Sequence, residues 1–192
     1  MKRIANWPAL FALLTAFVSW SLLAQTDPTR KAPKSEEKLS PTLAHEIHHQ
    51  ILVLPFYSVF DSITFILQGN RVILAGQVLR LTLKENAGAA VRSMEGVTTV
   101  VNNIEVLPVS PSDDDFRRAV YRALYEDSAL ARYAVQNVPA IHIIVKNGSV
   151  ALEGSVDSLS DKNLAASRAG SVANVLSVKN NLVVHPKGST AE

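Results

Sequence analysis

Four residues on one stretch of chain could do chemistry together: Arg118, Tyr121, Arg122 and Tyr125. At roughly 100° per residue they gather on one side of a helix read from about Asp113 to Asp127. The opposite side carries an apolar stripe of Phe116, Ala119, Val120, Ala123 and Leu124. A guanidinium grips phosphate through paired N–H groups, and tyrosine suits the level where acyl chains meet headgroups. The combination predicts a surface for anionic lipid. Charge pairing offers a plainer explanation, because Asp114 to Arg118 and Arg122 to Glu126 have the spacing of ion pairs on a solvated helix.

Other candidates are thinner. His45, His48 and His49 sit on an earlier helix, and His45 and His49 are one turn apart, but no third ligand is placed beside them. His142 and His185 lie elsewhere in the chain. Asp113, Asp114 and Asp115 read as the acidic first turn of a helix rather than a cation site. No phosphate-binding loop or nucleophile elbow is present. The expectation is a protein without catalytic residues, metal or cofactor.

Composition narrows the class. The chain has 192 residues, 47% of them hydrophobic, with a formal net charge of +2 and no cysteine. Disulfides, thiolate metal sites and a lipidated cysteine are therefore excluded. Lys2 and Arg3 precede a nearly uninterrupted apolar run from Ala9 to Leu23, and Ala24 offers a small residue for cleavage. That is the pattern of a secretory signal over residues 1–24, and it predicts export to the periplasm. The run is short for a membrane anchor, the competing reading. Without Lys2 and Arg3 the charges balance, which argues against a nucleic-acid partner. Residues 25–41, with Pro28, Pro33 and Pro41 among polar residues, read as a flexible linker. Residues 187–192 read as a disordered tail.

The elements that must carry the candidate residues come from an internal repeat. Residues 68–108 align with residues 146–186 at a constant offset of 78 without a gap. Val72, Leu74, Gly76 and Val78 fall on Val150, Leu152, Gly154 and Val156, and Asn102 and Asn103 fall on Asn180 and Asn181. One folding unit is encoded twice. Each copy reads as a hairpin turning at Gly69-Asn70 or Asn147-Gly148, with Gly148 supplying positive φ. Gly76 and Gly154 mark a bulge or a close backbone approach. A helix follows, opened by Ser160 and Asp161 in the second copy, then a strand bent at its Asn-Asn pair. An amphipathic helix precedes each hairpin: Leu43, Ile47, Ile51 and Leu54 in the first copy, capped by Ser112 in the second. The fold class is α+β, two tandem αββαβ units over 42–108 and 112–186, each a three-stranded sheet packed on one face by two helices.

The run Asn147 to Val156 (Asn-Gly-x-Val-x-Leu-x-Gly-x-Val), the run Val175 to Leu182, and their counterparts at Val72 to Val78 and Gly96 to Asn102 resemble the BON domain of bacterial envelope proteins. Asn174 stands where that family usually has glycine. The resemblance implies an exported, non-enzymatic envelope protein associated with phospholipid surfaces, envelope integrity and osmotic stress. The alternative is a periplasmic adaptor that docks an envelope protein through a strand edge or helix face.

Overall fold

The computed structural model describes residues 34–135 and 138–185. The expected signal peptide, residues 25–33 of the expected linker and the C-terminal tail lie outside them. In chain order the elements are α1 (Lys34–Leu52), β1 (Ser62–Gln68), β2 (Arg71–Val78), α2 (Leu81–Arg92), β3 (Thr99–Asn102) and β4 (Glu105–Val106). The second copy runs α3 (Pro111–Tyr125), a 3-10 turn (Ala131–Ala134), β5 (Ile141–Lys146), β6 (Ser149–Val156), α4 (Leu159–Gly170), β7 (Ser177–Asn180) and β8 (Val183–Val184). Helix α1 begins at Lys34, inside the stretch read as flexible. The run of Lys, Glu and Leu before Pro41 favours helix, and Pro41 is accommodated within it.

In each sheet the second strand is central. It pairs antiparallel with the first strand of its hairpin and parallel with the last, which is broken in two. The Asn-Asn pair causes the break. The Asn102 amide donates to the Lys84 carbonyl on α2 while its oxygen accepts from Ile104 N–H, and Asn180 does the same with Lys162 and Leu182. The strand is tied to its helix at the point where the ladder opens. Space explains Gly88 as well, since a Cβ there would lie 2.7 Å from the Asn102 amide nitrogen.

The hairpin turns follow their residues. Asn147 and Gly148 both have positive φ, the type I′ pattern, whereas in the first copy Gly69 has φ +58° and Asn70 does not share it, the type II′ pattern. At Gly76 and Gly154 the register runs on without a bulge. These residues stand at a close approach instead: a Cβ would lie 2.0 Å from the Ser62 oxygen or 2.1 Å from the Ala140 oxygen.

Two helix starts differ from expectation. Ser110, with Pro111 at the first helical position, caps α3 in place of Ser112, and Ser158 caps α4 in place of Ser160. In both cases the chosen serine is in extended conformation and accepts from the N–H three residues on. The inner face of α3 also differs. Its buried positions are Asp113, Arg117, Val120 and Leu124. Asp113 is 1% exposed, and its two carboxylate oxygens accept from Asn147 N–H at 2.9 Å and Gly148 N–H at 2.8 Å. Arg117 donates to the Val145 carbonyl at 2.6 Å and pairs with Asp114. Two charged side chains thus fasten α3 to the β5–β6 hairpin.

Each repeat has its own core. Ile47, Leu74, Leu83 and Ile104 are among the buried residues of the first, and Leu124, Ile141, Leu152 and Leu182 of the second. The copies diverge where α2 and α4 begin. Asp61 accepts from Leu79 N–H at 2.8 Å in the first copy. At the matching place in the second, the Tyr133 hydroxyl accepts from Asp157 N–H at 2.8 Å. Asp161 replaces the buried Leu83 and accepts from Ser158, Tyr133 and Arg132. The Ser158 hydrogen bond is the chief cause holding its carboxyl below the usual range.

The loop before β1 joins the two cores. Val59 is buried with the residues of the second core, and Phe60 packs against them. The Val59 carbonyl accepts from Ile143 N–H at 2.7 Å, and Tyr57 lies 5.6 Å from the His142 ring. Burial there depresses the His142 imidazole below its ordinary pKa. Lys146 and Glu105 add an ion pair at 2.6 Å.

Candidate functional site

Of the four residues singled out on α3, the structure gathers three around one recess. Arg118, Tyr121 and Arg122 line an opening of about 340 Å³, and the fourth wall is Phe60 from the first repeat. Helix α3 is held in place by Val120 and Leu124 in the core and by the Asp113 and Arg117 bonds to the hairpin. Its outer face is thereby fixed relative to the loop that carries Phe60.

Tyr121 forms the floor. Its ring meets Phe60 edge-on, with centroids 6.2 Å apart, and lies 4.9 Å from the Tyr125 ring. Arg118 and Arg122 stand exposed at the rim. Arg118 is paired with Asp115, whereas Arg122 forms no ion pair with any described residue. The pairs on this helix are three residues apart, Asp114 with Arg117 and Asp115 with Arg118, and not the four-residue pairs expected from spacing. The arrangement can hold an apolar group on the rings while a guanidinium meets an anion above it.

Tyr125 does not belong to this surface. It packs against the second core, and its hydroxyl donates to the Ile141 carbonyl at 2.7 Å. Burial pushes its hydroxyl pKa well up. The helical wheel gave its direction, but the end of α3 leans on β5, so the side chain is spent on the sheet. Tyr125→Phe should lower stability by about 1–2 kcal/mol through the lost bond, read as a fall in melting temperature, and leave the recess intact.

Phe60 is the member that spacing did not reveal, because no period runs from one repeat into the other. Its signal was the density of Phe56, Tyr57 and Phe60 in a short connection, where polar turn residues are usual. His45, His48 and His49 are all exposed, and among the described residues no cluster of three metal-ligating side chains occurs.

Comparison with known proteins adds a family. A profile described as BON domain matches residues 61–108 and 112–186. The first match begins after α1, and the second includes α3. Two solved structures of CdsD, a structural protein of the Type III secretion system of Chlamydia trachomatis, are similar at 16% identity and a TM-score of 0.27. One, of the C-terminal domain, covers 75% of this chain and 98% of its own, and the other covers 77% and 94%. No curated protein matches.

Proposed function

We propose that this chain, which belongs to the BON-domain family and carries two copies of its module, is a non-enzymatic protein of the envelope that binds anionic phospholipid surfaces. The family is one of envelope- or membrane-associated proteins, and the finer reading rests on one observation. The recess of Phe60, Arg118, Tyr121 and Arg122 has an aromatic floor and a cationic rim. A phosphate headgroup would meet Arg122 and Arg118 while the upper acyl chain lies on Tyr121 and Phe60. Each buried methylene would contribute about 0.8 kcal/mol. Each arginine near an anionic surface contributes about 1 kcal/mol. Association of this kind is peripheral, and no described helix is long and apolar enough to cross a membrane. Export to the periplasm and a part in envelope integrity under osmotic stress complete the proposal.

Flotation with vesicles tests it. The chain should float with vesicles containing phosphatidylglycerol and not with phosphatidylcholine alone. The Arg118→Ala/Arg122→Ala chain should bind at least about tenfold more weakly, as the loss of two such contacts requires. Equal flotation of the double variant would sink the assignment of this face.

A further inference from the structure

The two repeats treat the same strand edge differently. In the second repeat the outer edge of β5 is occupied: Ile143 N–H donates to the Val59 carbonyl, and Ile144, on the outer face, is 2% exposed. The matching residues of the first repeat are Phe65 and Ile66, 78 positions earlier, and Ile66 is 58% exposed. Within the β1–β2 register, alternate residues turn their backbone groups away from β2. Those residues are Ile63, Phe65 and Leu67. Ile63 N–H reaches the Tyr57 hydroxyl at 3.4 Å, and among the described residues Phe65 and Leu67 N–H have no such partner.

Strand β1, Ser62–Gln68, contains neither a charged residue nor a proline. Those are the usual protections of an edge that must stay single. Beside its first half runs a groove of about 330 Å³, walled by His48 and Leu52 of α1 and by Ser62 and Phe65 of β1, with His142 and Glu153 of the second repeat at one end.

We propose that the β1 edge receives an extended, aliphatic polypeptide segment of a partner protein by strand addition. The chain itself displays the chemistry of the occupant. At β5 the same edge is met by the backbone of a loop whose Val59 side chain is buried beside it. A row of alternating donors and acceptors is satisfied by a polypeptide and not by a lipid tail. This surface is separate from the arginine recess and does not depend on it.

The probe is an acetylated and amidated peptide, Lys-Thr-Val-Thr-Val-Thr-Lys, titrated into the full chain and followed by amide NMR. Saturable shifts are expected at Ile63, Phe65 and Leu67, with exchange of the Phe65 and Leu67 amides slowed at least about tenfold. A peptide with proline at the central threonine should not bind, because it lacks the donor. Ile66→Lys, at an exposed position that leaves the core intact, should weaken binding at least about tenfold while flotation with anionic vesicles stays unchanged. No shift at about 1 mM peptide, or binding that survives Ile66→Lys, would overturn the proposal. So would a chain that dimerises without peptide in sedimentation and is made monomeric by Ile66→Lys, since the occupant would then be a second copy.

Discussion

A Gly154→Ala chain is expected to lose about 4 kcal/mol of stability, and its melting temperature should fall by roughly 10 °C. Two costs combine. The residue sits at φ +108°, where an alanine is strained by about 1–3 kcal/mol. The new methyl would also lie 2.1 Å from the Ala140 carbonyl oxygen. That oxygen is backbone and accepts from Ser155 N–H at 3.1 Å, so no side chain can rotate aside. The strands must part at the end of the β5–β6 ladder. Gly69→Ala is the control, since Gly69 has φ +58° but no atom within 4 Å of the added carbon. It should cost the backbone strain alone, about 1–3 kcal/mol. Thermal melts of the two variants separate conformational strain from collision, and equal losses would refute the close approach as the reason for glycine.

Removing the Asp113 carboxylate should cost about 2–4 kcal/mol, because Asp113→Ala strands the N–H groups of Asn147 and Gly148. Gly148 is buried and Asn147 is exposed, so water replaces the lost acceptor poorly at Gly148 N–H above all. Hydrogen exchange at these two amides should accelerate, and melting should shift down by several degrees. Asp113→Asn, which keeps one accepting oxygen and turns a donor toward the other N–H, should fall between the parent and alanine. A wild-type melt for Asp113→Ala would show that the latch contributes nothing.

These two positions also mark what can be read from the chain. The glycine at 154 announces itself, because Gly76 holds the same place in a register where neighbours keep their type. The repeat, the hairpins, the strand bend at the asparagines and the element order are legible for the same reason: local chemistry, written twice, repeats its periods. Asp113 and Arg117 are not legible as latches. A helical wheel sorts residues by polarity, and charged residues are assigned outward, yet here both point inward to meet backbone atoms of a hairpin some thirty residues later. The capping serines were ambiguous because each helix start offers two, Ser110 and Ser112, Ser158 and Ser160, and only the extended backbone at the first selects it.

The recess was half legible. Arg118, Tyr121 and Arg122 share a face by angle alone, and angle is what spacing encodes. Tyr125 shares that angle but sits one turn further on, where Ile141 offers a carbonyl, so its height along the axis decided its role. Phe60 arrives from the other repeat, a relation with no sequence period at all.

Val59 belongs by chain position to the former module and by burial to the latter. The duplicate halves are therefore no longer equal heirs of their ancestor. A gene fragment encoding only the later half would specify an interior with one piece missing. Exchanging the order of the halves would leave that piece on the wrong side of the junction. What began as two interchangeable copies is now inherited as one indivisible pair.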